Sequence, residues 1–103
     1  MRILPKPIKF QQDRGNIDKN FIKHEVANIE CEETFFDDRK VIFQDPIHSF
    51  KEERYIILGK TKGQRMLFTV FTARGNKISI ISSRDINKKE IELYEKTTQP
   101  SQI

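Results

Sequence analysis

Three arginines stand out among the residues able to do chemistry. Arg54, Arg74 and Arg84 each stay charged at any physiological pH and present a planar fork of donors that matches a phosphate. Each also has a plain structural use. Arg54 can pair with Glu52 or Glu53, Arg74 can sit solvated at a strand end, and Arg84 can cap the sheet or meet a helix. His24 suits proton transfer near neutral pH, and Lys23 beside it can bind phosphate or lower the histidine's affinity for a proton. On a helix His24 shares the stripe of Ile17 and Phe21, which favours packing against a sheet over general-base work, and Lys23 points elsewhere. His48 follows Pro46 in an expected loop and carries no motif. Cys31 has no basic sequence neighbour and lies on an apolar stripe, so a buried thiol is expected rather than a nucleophile. As the single cysteine it allows no intramolecular disulfide, and no cluster of Cys and His offers a zinc site, so neither metal nor cofactor is implied.

The charge distribution says more about partners than the net value of +4. Residues 27–50 hold two basic and six acidic groups, whereas residues 51–74 hold six basic and two acidic ones. Two readings stay open: one surface suited to a polyanion and another to a basic partner, or a solvated surface with accidental clustering, which charge alone favours. A chain of 103 residues with 36% hydrophobic and 33% charged composition fits one soluble domain, spanning 1–103 with its core at about 8–96. Residues 97–103 are polar, carry a proline and are expected to form a frayed tail. No apolar run approaches the roughly 20 residues of a membrane span. Pro5 and Pro7 stand where a signal peptide would place its apolar stretch, so a reducing, cytoplasmic setting is expected.

These side chains must be positioned by a small set of elements. Asp13 is suited to cap a helix running to about residue 24, with Asn16, Asn20 and Lys23 on its polar stripe. Asn28 is suited to cap a second, shorter helix whose acidic residues face water. Strands are expected at 55–58, 66–72 and 78–82, rich in β-branched and aromatic residues, with Gly75-Asn76 turning the last two into a hairpin. If Arg74 faces Lys77, strict alternation puts Phe68, Val70, Thr72, Ser79 and Ile81 on one face and Leu67, Phe71, Ile78, Ile80 and Arg84 on the other. Asn87 and Glu90 match a capping box that starts a last helix. The expected class is α+β, with two N-terminal helices, an antiparallel sheet of about three to four strands and a C-terminal helix. Ile17, Phe21, Phe35, Phe36, Leu67, Phe71, Ile80 and Tyr94 are its expected core.

The order of these motifs resembles the BrnT family of type II toxin-antitoxin toxins, over about residues 10–96. Asp13, Asn20, Lys23, His24 and Val26 match the pattern of the family's first helix, and Glu32-Glu33-Thr34-Phe35-Phe36-Asp37 matches its acidic second helix. Glu53-Arg54, Gly59, Ile80-Ile81-Ser82-Ser83-Arg84, Glu90 and Tyr94 complete the likeness. Gln12, Asn16 and Glu25 replace the family's Trp, Lys and Gly, and Ser79 stands where many members have Arg.

The resemblance implies a RelE-like fold whose basic surface cleaves RNA without a metal and halts translation until a ribbon-helix-helix antitoxin neutralises it. In such cleavage the 2′-hydroxyl attacks the adjacent phosphorus while cationic donors stabilise the charge on its oxygens. On this basis Arg54, Arg84, Lys23 and His24 are the expected catalytic residues and Arg74, Lys77 and Asn20 the expected RNA contacts. DNA would be met only indirectly, through the antitoxin complex. Two alternatives stay open: a catalytically weakened homologue that only binds antitoxin, and a nonenzymatic nucleic-acid-binding module.

Overall fold

A computed structural model of the chain describes residues 4, 7–11, 25–47 and 52–97. The expected helix at 13–24, with Ile17, Asn20, Phe21, Lys23 and His24, lies outside them, as do His48 and residues 98–103. The elements in chain order are β1 (Phe10–Gln11), α1 (Asn28–Thr34), β2 (Val41–Gln44), β3 (Tyr55–Lys60), β4 (Met66–Arg74), β5 (Lys77–Asp85) and α2 (Lys88–Thr97). They form one five-stranded sheet in the order β1-β5-β4-β3-β2.

This architecture corrects the expected one. Among the described residues there is one helix before the main strands instead of two N-terminal helices, and the sheet has five strands instead of three to four. It is also mixed. β1 runs parallel to β5, pairing Phe10 with Ile78, while every other pairing is antiparallel. β1 is only two residues long and β2 only four, too short for alternation to announce them.

The β4–β5 hairpin anchors the sheet. Of its two turn residues only Gly75 takes a positive φ, of 62°, at the first position, where glycine is favoured. The register then runs without fault from Arg74↔Lys77 to Phe71↔Ile80, where it shifts, so that Val70 faces Ser82. Ile81 is the extra residue of a β-bulge. Beyond it the phase of β5 inverts, and Arg84 lies opposite Phe68 instead of sharing a face with Phe71 and Ile80. The strict alternation expected for β5 is corrected on this point.

On one face of the sheet, Ile57, Leu67, Phe71, Ile78 and Ile80 form a core with Val26, Cys31 and Phe35 from α1 and its flanks. Phe35 packs edge-on between Phe10 and Phe71, at centroid distances of 5.3 and 5.0 Å, and Tyr55 stacks on Phe71 at 5.6 Å. Tyr94 is buried, as expected. Phe36 is not: it is 63% exposed, because the chain leaves α1 at Phe35 and turns the next side chain outward.

α1 begins one residue earlier than expected. Ala27 is its N-cap and Asn28 its first helical residue. No side chain of Ala27 can cap, but Glu30 Oε1 accepts the Ala27 N–H at 3.0 Å and Asn28 Nδ2 donates to Glu32 Oε2 at 2.7 Å. The helix lies so close to β3 that a Cβ on Gly59 would fall 2.7 Å from Thr34 Cβ and 2.9 Å from its carbonyl oxygen. Glycine at this position is what lets the helix reach the sheet.

Arg65, in the β3–β4 connection, ties the ends together. Its Nε and Nη2 donate to Asp85 at 2.6 and 3.1 Å, and Nη1 donates to the Glu25 carbonyl at 2.9 Å and to Glu30 Oε1 at 3.1 Å. It thereby joins the end of β5 to the start of α1.

Urea denaturation should rank three variants accordingly. Phe71→Ala is expected to lose about 3–5 kcal/mol and Gly59→Ala about 1–3 kcal/mol through overpacking. Phe36→Ala should stay within about 0.5 kcal/mol of the parent. A large loss for Phe36→Ala would contradict the exposure of that ring.

Candidate nucleic-acid interface

The face of the sheet away from α1 gathers the expected arginines. The Asp45 N–H donates to the Arg54 carbonyl at 2.8 Å, which extends the β2–β3 ladder by one pair and sets the two residues side by side. Both line a cavity of about 290 Å³ with Phe68, Val70, Ile81 and Ser82. Val70 and Ser82 are direct partners across β4 and β5, so the cavity's floor is this face of the sheet. Asp45 is only 8% exposed and accepts the Ile47 N–H through Oδ1 at 3.2 Å, a local turn around Pro46 that ends β2.

Arg84 lies beside this cavity. Its Cζ stands 3.9 Å from the centroid of the Phe68 ring, a cation–π contact. Its Nη1 and Nη2 donate to the two carboxylate oxygens of Glu90 at 2.9 and 2.7 Å, and Nη1 also donates to the Asp85 carbonyl at 3.1 Å. Phe68 thus joins the two arginine positions, lining the cavity of Arg54 while lying under Arg84. The pairing holds the Arg84 guanidinium above its ordinary proton affinity. Burial alone would raise the Glu90 carboxyl, but hydrogen bonds from Arg84 and the Asn87 backbone, together with the Arg84 charge, outweigh it and hold that carboxyl below the usual range.

Arg74 and Lys77 face each other at the hairpin end, both exposed. Arg74 Nε and Nη2 donate to Glu52 at 3.2 and 3.0 Å, and these hydrogen bonds hold the Glu52 carboxyl below the usual carboxylate range. The structure therefore brings Arg54 and Arg84 together around Phe68, with Arg74 and Lys77 farther along the same hairpin. Lys23, His24 and Asn20 lie outside the described residues.

Sequence reasoning missed two members of this surface, Phe68 and Asp45, which carried no motif. Glu90 stood out as a helix cap and as part of the family likeness, but its meeting with Arg84 depends on the bulge that turns Arg84 to this face. Cys31 is buried, and desolvation raises its thiol proton affinity, which suits a packing role. Among the described residues no group of three or more His, Cys, Asp or Glu could hold a metal ion, and no helix is long and apolar enough to cross a membrane.

A second cavity, of about 470 Å³, opens where α1 meets the end of β3, lined by Ile29, Glu32, Glu33, Phe36, Asp37, Lys60, Thr61 and Lys62. Asp37 organises its rim, accepting the Lys60 N–H at 2.9 Å and the Tyr94 hydroxyl at 2.7 Å through Oδ2. This larger hollow lies apart from the arginine face.

A basic, aromatic-lined sheet face backed by a short acidic helix defines a small α+β domain suited to phosphate-bearing ligands. Residues 13–90 match the family model described as ribonuclease toxin, BrnT, of type II toxin-antitoxin system, and the chain belongs to that family. Its fold is similar to that in the 1.1 Å crystal structure of the Brucella abortus ribonuclease toxin BrnT. The TM-score is 0.59 at 20% identity, covering 79% of this chain and 99% of the Brucella chain. A comparison with curated proteins gives no match.

The Arg84–Glu90 pair has a consequence for acid stability. Because the folded carboxyl of Glu90 is depressed, its contribution is fully present above the unfolded-state value and is lost as pH falls through the folded one. Melting temperatures recorded across the carboxylate range should therefore fall less steeply with acid in Glu90→Gln than in the parent. Parallel curves would show that the pair contributes nothing to folding.

Proposed function

We propose that this chain is a metal-independent endoribonuclease toxin that cleaves RNA in the cytoplasm, inhibits translation, and is neutralised by a ribbon-helix-helix antitoxin. Family membership supports the ribonuclease class. The observation that carries the finer reading is the convergence of Arg54 and Arg84 on Phe68, on a face that also bears Arg74 and Lys77.

In the proposed reaction the 2′-oxygen forms a bond to the adjacent phosphorus as the bond to the 5′-oxygen breaks. The 2′-hydroxyl gives up its proton, and the 5′-oxygen receives one. Arg54 and Arg84 act as donors to the phosphate oxygens as negative charge builds, a role that needs fixed cations more than a metal. Phe68 backs the Arg84 guanidinium with its ring face and lines the cavity beside Arg54, so its part is to hold the donors in place. Lys23 and His24 are assigned to proton transfer and phosphate contact, and Arg74, Lys77 and Asn20 to binding the flanking strand.

Purified protein incubated with RNA in EDTA should give discrete fragments. Arg54→Ala and Arg84→Ala, if folded, should each lower the cleavage rate by about 100- to 1000-fold. Cleavage at the parental rate would remove these residues from the mechanism, and RNA binding without any cleavage would leave a binding module instead.

The antitoxin is assigned to the arginine face, where an acidic segment would compete with phosphate. α1 packs on the opposite face of the sheet, so the two possible docking sites are separable by mutation. The double variant Arg74→Glu with Lys77→Glu should weaken the toxin–antitoxin complex, and Glu32→Lys with Glu33→Lys should leave it intact. The reverse pattern in a titration would place the antitoxin on the acidic helix and make neutralisation act at a distance.

A further inference from the structure

Arg84 has five N–H donors, and its contacts account for three of them. Glu90 takes one from each terminal nitrogen, through the end of the guanidinium, and the Asp85 carbonyl takes the second from Nη1. Among the described residues nothing accepts the Nε–H or the second Nη2–H. They lie next to each other along one edge of the plane and form a second two-pronged fork. The side chain keeps 36% of its surface accessible, while that of Glu90 keeps 16%.

We propose that Glu90 is a positioning residue for RNA binding, gripping the end of the Arg84 guanidinium so that its Nε–Nη2 edge binds the oxygens of one phosphodiester. The proposal rests on the reading of this face as the RNA site and names the subsite within it. Four contacts fix the plane of the guanidinium: the two carboxylate bonds, the bond to the Asp85 carbonyl and the Phe68 ring 3.9 Å beneath it. A free arginine must lose its rotamer freedom when it binds phosphate; this one has already lost it.

The opposite role, in which Glu90 occupies the place of the phosphate and must leave, conflicts with two observations. Glu90 Oε1 also accepts the Asn87 N–H at 2.9 Å, while the Glu90 N–H donates to Asn87 Oδ1 at 2.9 Å. The carboxylate is therefore part of the capping box of α2, and withdrawing it would unmake the helix start as well as the pair. Nor is withdrawal needed, since the second fork is open. The depressed Glu90 carboxyl agrees with a carboxylate that stays ionised and in place.

The test is a titration with a single-stranded 2′-O-methyl RNA oligonucleotide, which binds like RNA but lacks the hydroxyl needed for cleavage. Fluorescence anisotropy across a salt series gives affinity and salt slope, and NMR of arginine Nε–H groups reports the contact. The Arg84 Nε–H resonance should shift on binding. Glu90→Gln should weaken affinity about tenfold, the order expected for a charge-assisted hydrogen bond, and reduce the salt slope by about 0.7, one phosphate contact on a single strand. Arg84→Lys, which keeps the charge but has no second fork, should show a similar loss, and the double variant should bind no more weakly than Arg84→Lys alone.

Tighter binding by Glu90→Gln would overturn the proposal in favour of a carboxylate that competes with phosphate. A lowered melting temperature with unchanged affinity and slope would overturn it in favour of a purely structural pair, as would an unmoved Arg84 resonance in a saturated complex. Should Glu90→Gln fail to fold, Arg84→Lys decides the matter, because parental affinity there would exclude the fork. A parent protein that binds none of the oligonucleotide would instead refute the RNA reading, and the subsite with it.

Discussion

One extra residue in β5 decides what each face of the sheet can do. Up to Ile80 the strand follows the hairpin register, with Ile78 and Ile80 inward against Phe35 and Phe71. Ile81 then has no partner of its own, and Ser82, Ser83 and Arg84 resume the ladder in the opposite phase. Without that insertion Arg84 would fall opposite Leu67, in the place Asp85 now holds, away from Phe68 and Glu90, and Ser83 would lose its hydrogen bond to Thr69, 2.7 Å away inside the sheet. Arg84 would then stand beside Arg65 where that arginine now meets the carboxylate of Asp85, so a favourable ion pair would give way to two like charges. The irregularity thus lets one strand serve the core with its first half and a polar surface with its second.

The two faces are held at a fixed spacing by unlike means. On the core side close approach is everything: Gly59 admits the Thr34 backbone, and Phe35 wedges between Phe10 and Phe71. On the other side α2 is fastened by polar contacts, with Asn87 and Glu90 closing its first turn and Tyr94 reaching Asp37 near its end. Burial raises the Tyr94 hydroxyl and its bond to Asp37 raises it further, so it remains a donor throughout the physiological range. Asp37 in turn accepts the Arg39 N–H through Oδ1 and the Lys60 N–H through Oδ2. Asp37 therefore ties the segment after α1 to the end of β3 and to α2.

Much of this was legible from residue order. The β4–β5 hairpin, the inward set Leu67, Phe71 and Ile80, and the Asn87–Glu90 cap follow from alternation, from Gly75-Asn76 and from capping chemistry, all of which act over a few residues. The short edge strands did not show, because two or four residues cannot display a period, and the parallel pairing of β1 with β5 joins positions almost seventy residues apart, Phe10 and Ile78. Phe36 was assigned to the core on helical spacing, yet α1 ends before it. The phase change at Ile81 had no local sign either: Ile80-Ile81 looks the same in a regular strand as in a bulged one. The arginines were thus identifiable by type, whereas the partner that aims Arg84 could be found only in three dimensions.

Phosphate binding is simplest for unpaired cations, yet on the face proposed for RNA Arg84 and Arg74 both carry carboxylates, Glu90 and Glu52. The two pairs differ in kind. Arg74 and Glu52 are both well exposed, so water and salt screen their attraction and a phosphate can exchange with the carboxylate at little cost. Glu90 is mostly sheltered and anchored in a helix cap, so its carboxylate is a fixture of the site and not a removable counterion. A fixed carboxylate also lowers the net charge that an isolated arginine would show, which weakens loose attraction to any polyanion. What remains is attraction that depends on geometry, because only a ligand matching the remaining edge of the guanidinium recovers the full interaction. On the proposed reading of this face, one cation in a carboxylate grip and others at an exposed hairpin end separate two tasks, selecting a phosphate in a defined position and gathering the strand around it.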